Sequence, residues 1–383
     1  KELAHSQIDL FRSDMEFLRV LPPSHYEGAV DAIPDVVEAI SKLDTTGSVY
    51  DVDADKYFEV HRDAGFGSES HLPEDQMLAI FAERGGDPAR SGKKDPLDAL
   101  LWLAHREGEP AWPSKFGEGR PGWHIECAAI ALKFAEAESD YVIDIQGGGK
   151  DLIFPHHEMS ASQVKLLTGK TFARAYVHAA LIGLDGEKMS KSLGNSLQVQ
   201  ELLKKVRGIE LRWYLGSAHY RSMLEFSFEA LEEAAVNFRR VEGFLIRASE
   251  LLKKEIAPVI SNDFAKAMDN DLAVPEGLAA ISEAVRVGNS AITSNDLKTI
   301  EKAASEVRGA LAILGCDPFD PVFKSGSGAK KELLDGLVSL ALEQRNAARE
   351  RKDFATSDAI RDELAKLGVV IEDTAQGARW SIN

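Results

Sequence analysis

The chain has 383 residues, of which 44% are hydrophobic and 28% are charged, and its formal net charge is −17. These values indicate a globular protein with two or three domains, and they argue against a surface that is basic overall, without excluding a local basic face. No apolar run approaches the roughly 20 residues that span a bilayer. Cys127 and Cys316 are the only cysteines, so a disulfide framework is excluded and a reducing, cytoplasmic location is expected.

The first 43 residues predict two helices. Apolar residues from Leu3 to Leu18 recur at helical spacing, and a second periodic run extends from Val30 to Leu43. The segment LPPS separates the two runs, because proline ends a helix. Residues 44–122 are mixed in character and contain glycine-rich turn signals.

An α/β pattern follows. Residues 128–137 predict a helix, residues 141–145 a buried strand, and Gly147–Gly149 a turn. A helix is expected after FPHHE, and residues 176–184 predict a second strand that ends in a tight turn at Asp185-Gly186. The octapeptide KMSKSLGN, residues 188–195, therefore follows a strand end, which is where α/β sheets bind ligands.

From about residue 206 the sequence becomes predominantly helical. Residues 323–331, FKSGSGAKK, predict a flexible linker. A small unit follows, with helices to about Leu367 and a strand-like end. In its helix, Arg345, Arg349 and Lys352 are spaced to form one basic stripe, which indicates either a nucleic-acid contact or an ordinary solvated face.

Three short motifs carry the candidate chemistry, and each has a simpler interpretation when taken alone. The paired lysines of KMSKSLGN suit a phosphate, although most such pairs lie in solvated turns. Cys127 and His156 have the side chains that zinc prefers, but a single cysteine is more often a small buried residue, and the His156-His157 pair could cap a helix. Likewise, Trp123 could belong to the core.

Together the motifs resemble one specific group. GWHIEC at 122–127, GGGKDLIFPHHE at 147–158 and KMSKS at 188–192 are similar to the cysteine-activating class I ligases. These are cysteinyl-tRNA synthetase and the ligase that joins cysteine to glucosaminyl-inositol in mycothiol synthesis. The resemblance covers essentially the whole chain.

The resemblance implies an α/β fold with a class I synthetase-type, Rossmann-like catalytic domain over residues 1–205. An all-α helical bundle over 206–323 and a small C-terminal domain over 332–383 are expected to follow. We expect the N-terminal part of the catalytic domain, with its HIGH-type motif and first zinc cysteine, to be absent.

The two halves of the chain resemble different members of the group. Gln146 and Ser160 stand where the tRNA synthetases have histidine and a zinc-binding glutamate, so residues 1–205 resemble the mycothiol-pathway ligase. This difference implies a three-ligand zinc site that is open to substrate. Residues from 206 onward, and above all the tail RNAARERKDFATSDAI, resemble cysteinyl-tRNA synthetase.

The resemblance therefore implies an ATP-dependent cysteine ligase that forms cysteinyl adenylate. We expect transfer to the amine of glucosaminyl-inositol, because the catalytic half should determine the acceptor. The first alternative is a cysteinyl-tRNA synthetase that charges tRNA, with the C-terminal domain contacting it. The second is a non-catalytic fragment that binds zinc or tRNA.

The resemblance also implies a role for each motif. One Zn²⁺ per complete chain would be held by Cys127 and His156 together with the N-terminal cysteine that we expect to be absent here, and Trp123 would line the cysteine pocket. Asp151 would bind the substrate ammonium group, its alternative being the N-cap of the next helix. Lys188 and Lys191 would act catalytically on the phosphates of ATP, which would enter with Mg²⁺. The full set expected to bind ATP is Gly148, Gly149, Lys188, Met189, Ser190, Lys191 and Ser192.

Overall fold

The structure is a computed structural model that describes residues 2–135, 140–184, 187–188, 197–320, 328–374 and 377–382. The chain divides into two compact units, residues 1–310 and 311–383. None of the described helices is both long enough and apolar enough to cross a membrane.

The two predicted N-terminal helices are confirmed as α1, Glu2–Phe17, and α2, Ile33–Thr45. Helix α2 buries one face completely, and the buried residues are Ile33, Val36, Ala39, Ile40 and Leu43. By contrast, the apolar stripe of the first helix is only partly covered. Leu18 just beyond α1 is buried, whereas Phe11 is 50% exposed.

The mixed region folds around an antiparallel sheet with the strand order β1-β2-β3-β4. Its strands are β1, Val49–Val52, β2, Asp55–Phe58, β3, Ala99–Ala104, and β4, Gly119–Pro121, and helix α3, Glu74–Glu83, lies between β2 and β3 in sequence. Asp55 is fully buried at the start of β2, where guanidinium groups of Arg90 and Arg106 lie 2.6 Å and 2.8 Å from its carboxylate.

The α/β segment contains helix α4, Trp123–Lys133, strand β5, Tyr141–Gly149, helix α5, Glu158–Thr168, and strand β6, Thr171–Ala179. Strands β5 and β6 pair in parallel, as the α/β pattern predicts. Their buried residues form one core with those of α2, α4, α5 and the β1–β4 sheet.

The predicted turn at Gly147–Gly149 is wrong, because these glycines continue β5. Gly147, Gly148 and Gly149 pair with Val177, His178 and Ala179 of β6. None of the three glycines has a positive φ, so a turn is not what they are needed for.

The second predicted strand, residues 176–184, is divided between β6 and a short strand β7, Ile182–Leu184. Strand β7 pairs with β8, Glu187–Lys188, and with β9, Leu224–Phe226. The predicted turn at Asp185-Gly186 lies outside the described residues.

Helices dominate after this point, as predicted. They are α6, Val199–Leu202, α7, Gly208–Leu215, α8, Phe228–Leu252, α9, Asn262–Asp269, α10, Val274–Ser294, and α11, Leu297–Ile313. The hydroxyls of Ser227 and Ser261 cap α8 and α9 by accepting backbone N–H groups.

The C-terminal unit contains helices α12, Gly328–Glu350, and α13, Phe354–Lys366, followed by an antiparallel hairpin of β10, Val369–Thr374, and β11, Gly377–Ile382. The predicted linker at 323–331 is wrong in its last four residues, which begin α12, and its first five lie outside the described residues. The predicted basic stripe is also wrong. Arg345 is 2% exposed and shares a buried helix face with Val338 and Ala348, whereas Arg349 is exposed.

A buried carboxylate organises the start of α7. Glu210 is fully buried and accepts hydrogen bonds from the Arg207 backbone N–H at 2.9 Å and from Nε of Arg239 at 2.7 Å. Burial by itself would raise the pKa of Glu210, but the hydrogen bonds from Arg239 and Arg207, together with the positive charge of Arg207, hold this pKa below its ordinary value. A lowered folded-state pKa means that the ionised carboxylate stabilises the fold.

We predict that Glu210→Gln lowers the free energy of unfolding by about 1–3 kcal/mol at pH 7. The stabilisation is present above the unfolded-state pKa of about 4.3 and is lost as the pH falls through the lower folded-state pKa. The difference between variant and wild type should therefore shrink in acid, as measured by urea unfolding at several pH values. Glu201→Gln, which removes an exposed partner of Lys204, is the matched control and should change little. A loss independent of pH would contradict this role.

Candidate active site

A row of imidazole rings lies near the carboxyl ends of β5 and β6. We call His124, His156, His157 and His178 the histidine row. The ring centroids of His156 and His157 are 5.7 Å apart, and those of His157 and His178 are 4.9 Å apart. The indole of Trp123 continues the row, with its centroid 4.9 Å from that of His156.

One end of the row forms a directed hydrogen-bond chain. The amide nitrogen of Gln146 donates to Nε2 of His157 at 3.0 Å. His157 therefore carries its proton on Nδ1, which donates to Nε2 of His178 at 2.8 Å. The chain runs from Gln146 through His157 to His178, and it sets the tautomers of both rings.

The other end of the row is a histidine pair on two different elements. The Nδ1 atoms of His124 on α4 and His156 before α5 lie 3.0 Å apart, within hydrogen-bonding distance. Nε2 of His156 is then the nitrogen that can face a ligand. The hydroxyl of Ser160 donates to the backbone carbonyl of His124 at 3.3 Å and ties α5 to α4.

Burial keeps these rings neutral. It lowers the pKa of His124 to about 3, with a smaller contribution from His156. It likewise lowers the pKa of His157 to about 4, with contributions from His178 and His156. The pKa values of His156 and His178 are also lowered by burial. At neutral pH the row offers donors and acceptors without positive charge.

The glycines of β5 allow two side chains to approach the strand. A Cβ atom on Gly148 would lie 2.8 Å from Cε1 of His157, and one on Gly149 would meet the carboxylate of Asp151. Close approach, and not backbone freedom, is therefore what glycine provides here.

Two charged side chains hold the segment that carries Asp151 and the histidines. Buried Glu158 accepts backbone N–H groups from Gly67 at 2.8 Å, Glu69 at 3.2 Å and Ser70 at 2.7 Å. The guanidinium of Arg84 donates to the backbone carbonyls of Asp151 and Phe154. The loop at 67–70 and helix α3 are thereby fastened to the site.

The structure brings Trp123 together with His156, and it rules out some simpler interpretations. Trp123 is 57% exposed and is not core. Asp151 lies in a 3-10 turn, Lys150–Leu152, seven residues before α5 begins, so it does not cap that helix. Cys127 is exposed on α4, one turn beyond His124, and is not a buried hydrophobic residue.

The lysine loop is only partly described. Lys188 ends strand β8, while Met189, Ser190, Lys191 and Ser192 lie outside the described residues. The roles predicted for these residues, and for the other site residues, stay predictions.

Sequence reasoning did not assign roles to His124, His178 or Glu158. His124 adjoins Trp123 in GWHIEC, and Glu158 ends FPHHE, so motif membership was a signal for both. His178 had no such signal, because only the parallel pairing of β6 with β5 places it beside His157.

Three family models match the chain. The model described as tRNA synthetases class I (C) catalytic domain matches residues 1–236, the DALR domain matches residues 263–316, and the cysteinyl-tRNA ligase anticodon binding domain matches residues 338–380. A cysteine–tRNA ligase from Streptomyces avermitilis is 44% identical over 97% of this chain and 79% of its own length.

The chain belongs to the cysteine–tRNA ligase family of class I tRNA synthetases. A second member, from Streptomyces coelicolor, is 43% identical over 95% of this chain and 59% of its own length. Among solved structures, Mycobacterium tuberculosis methionyl-tRNA synthetase in complex with methionyl-adenylate is similar, with a TM-score of 0.52 and 13% identity over 82% of this chain and 76% of that one. It supports the class I, Rossmann-like fold.

The expected transfer to glucosaminyl-inositol is wrong. Similarity to cysteine–tRNA ligases extends over nearly the whole chain and includes the residues from which the mycothiol ligase was inferred. The structure supplies the physical reason. Gln146 holds His157, and Ser160 is buried between α4 and α5, so both report on packing within the pocket. Neither residue identifies an acceptor.

Zinc is the metal that the family resemblance implies, and the donors suit it only in part. His156 is neutral, its Nδ1 is engaged with His124, and a thiol and an imidazole are zinc's preferred ligands. However, no group of three ligand residues that could hold a metal occurs within the described part of the chain. Cys127 and His156 could supply two zinc ligands, and the described residues do not provide a third beside them.

We predict that Glu158→Gln lowers the free energy of unfolding by about 1–3 kcal/mol, because its amide nitrogen cannot accept the N–H groups of residues 67–70. Glu69→Gln is the matched control. Burial, and then the charge of Glu158, raise the pKa of Glu69, so its charge is unfavourable in the fold and its removal should leave stability unchanged or higher. Thermal unfolding at pH 7 measures both variants. Equal losses would contradict the role of Glu158.

Proposed function

We propose that this protein activates L-cysteine with ATP and transfers the cysteinyl group to tRNA. The observation that carries the proposal is similarity to cysteine–tRNA ligases over 97% of the chain, which includes both the histidine row and the C-terminal unit. The position of the row at the carboxyl ends of parallel strands, where α/β sheets bind ligands, supports it.

The proposed reaction has two steps. The cysteine carboxylate attacks the α-phosphate of ATP, an oxygen–phosphorus bond forms, and pyrophosphate leaves. A terminal hydroxyl of tRNA then attacks the activated carbonyl, and AMP leaves as the ester forms. Both steps depend on positioning and charge neutralisation more than on covalent chemistry by the protein. We propose Lys188 and Lys191 for the phosphates, with Met189, Ser190, Ser192, Gly148 and Gly149 also in contact with ATP.

We propose that cysteine lies between Trp123 and Asp151. Trp123 offers an exposed indole face beside His156. Asp151 follows strand β5, and its backbone carbonyl accepts a hydrogen bond from Arg84. The carboxylate would pair with the substrate ammonium group. Neutral histidines suit this pocket, because an imidazolium in the row would repel that ammonium group.

We further propose that Cys127 and His156 contribute to a zinc site at this pocket. A bound zinc would supply selectivity, because a thiol coordinates zinc as a thiolate, whereas the hydroxyl of serine resists deprotonation. The protein's own part is to present His156 in the neutral state, with its Nδ1 engaged by His124 and its Nε2 directed to a ligand.

The function is tested by cysteine-dependent exchange of pyrophosphate into ATP, followed by charging of tRNA. We predict that Trp123→Ala raises the KM for cysteine about tenfold, equivalent to about 1.4 kcal/mol, because the pocket loses its aromatic wall. Trp123→Phe should retain most of the affinity. Phe134→Ala, which removes an exposed ring at the far end of α4, is the control.

Absence of exchange, together with retained tRNA binding, would overturn the catalytic proposal in favour of a binding module. Exchange that proceeds with another amino acid and not with cysteine would overturn the substrate assignment.

For the metal, we predict that Cys127→Ser and His156→Asn each lower the zinc content of the purified complete protein well below that of the unsubstituted protein. Cys316→Ser is the control, since this second thiol is buried and its Sγ lies 3.7 Å from the Leu314 carbonyl. Elemental analysis gives the readout without an activity assay. Unchanged zinc in both test variants would show that these residues are not ligands.

A further inference from the structure

The turn between α9 and α10 has an unusual backbone. Asp271 and Leu272 are consecutive left-handed residues, with φ values of 53° and 54°. Asparagine and aspartate tolerate this region, but leucine does so rarely, and the side chain of Leu272 is 54% exposed. Burial of Leu272 therefore does not explain the conformation.

Local hydrogen bonds account for only part of the turn. The N–H of Leu272 donates to Met268 at 3.1 Å, and that of Ala273 donates to Ala267 at 2.9 Å, which closes the end of α9. Neither of these bonds uses the carbonyl or the carboxylate of Asp271.

Asp271 uses these groups to bind the segment 219–221. Its carboxylate accepts hydrogen bonds from the Tyr220 hydroxyl at 2.7 Å and from Nε of Arg221 at 2.8 Å. Its backbone carbonyl accepts a hydrogen bond from the Nε2–H group of His219 at 2.9 Å. An isolated exposed ion pair contributes little, but here three consecutive side chains converge on one residue.

The same segment contacts the end of β6 on its other side. The backbone N–H of Ala180 donates to the carbonyl of Tyr220 at 2.7 Å. Ala180 directly follows β6 and lies two residues beyond His178, the last member of the histidine row. Tyr220 thus connects the α9–α10 turn to the strand that presents His178 to His157.

We propose that Asp271 is a positioning residue for the cysteine site. It holds Tyr220 against Ala180 and thereby sets the position of His178 and of the chain through His157 to Gln146. The catalytic consequence rests on the proposed function, whereas the positioning itself does not.

Two variants separate the backbone from the contacts. Asp271→Gly retains the left-handed conformation at no steric cost but removes the carboxylate. Asp271→Asn also tolerates the conformation and keeps an acceptor for Tyr220, while it loses the charge. Glu283→Gln is the matched control, because Glu283 on α10 accepts exposed hydrogen bonds from Arg286 only three residues away.

The first readout needs no activity. Hydrogen exchange of the Ala180 N–H should accelerate at least about tenfold in Asp271→Gly, less in Asp271→Asn, and not in Glu283→Gln. The imidazole ¹⁵N shifts of His178 should change in the same order, because they report its hydrogen bond to His157. Unchanged exchange or unchanged His178 shifts in Asp271→Gly overturn the proposal.

The second readout is the KM for cysteine in pyrophosphate exchange by the full-length protein. It should rise about 2- to 30-fold in Asp271→Gly, with the KM for ATP unchanged and with partial recovery in Asp271→Asn. A KM that stays at the wild-type value overturns the proposal, because the contact would then be structural only. A wild-type protein that does not activate cysteine refutes the proposed function. Hydrogen exchange of the Ala180 N–H and the ¹⁵N shifts of His178 then still decide whether Asp271 positions His178.

Discussion

The neutrality of the buried histidines is the constraint on which the site depends. Removing an imidazole from water disfavours its charged form, and at His124 and His157 the neighbouring rings disfavour it further. A neutral imidazole has one donor and one acceptor, so neighbouring rings must agree on direction. Gln146 determines that direction at one end, because its amide nitrogen can only donate.

The hydrogen bonds between the rings require the histidines to pack closely, and residues around the row must hold them in place. Gly148 leaves room for His157 against β5, and Glu158 and Arg84 hold the segment that carries the row. The three N–H groups that reach Glu158 all come from one loop, about ninety residues earlier in the chain. A buried carboxylate with several backbone donors is a strong anchor, because hydrogen bonds to an ionised group are stronger than those between neutral groups. The position of the histidine row therefore depends on the position of the loop at residues 67–70.

Local pattern predicts that helices occur and that they alternate with strands, because each depends on periodicity within a short window. It does not give their bounds or burial: the helix predicted over 128–137 is α4, Trp123–Lys133, and the strand predicted to be buried leaves Ile145 61% exposed. The same reasoning fails at Gly147–Gly149, where the glycines predict a turn but continue strand β5. Glycine also serves where another group must approach the backbone, and that group, His157, could be placed only in three dimensions. The prediction that Arg345 lies in an exposed basic stripe was wrong for a related reason. Charge predicts exposure on average, but its helix face also carries buried Val338 and Ala348.

The prediction of glucosaminyl-inositol as the acceptor was wrong for a more general physical reason. Gln146 and Ser160 were interpreted as markers of an acceptor because they lie in motifs around the cysteine pocket. In the structure one holds a histidine and the other joins two helices, so the contacts of both concern the packing of the pocket and do not identify the second substrate. An acceptor as large as tRNA contacts surfaces far from the pocket, and its signal should extend over the chain. Similarity over 97% of the residues, including 338–380, is a signal of that kind, and two substitutions within one pocket are not.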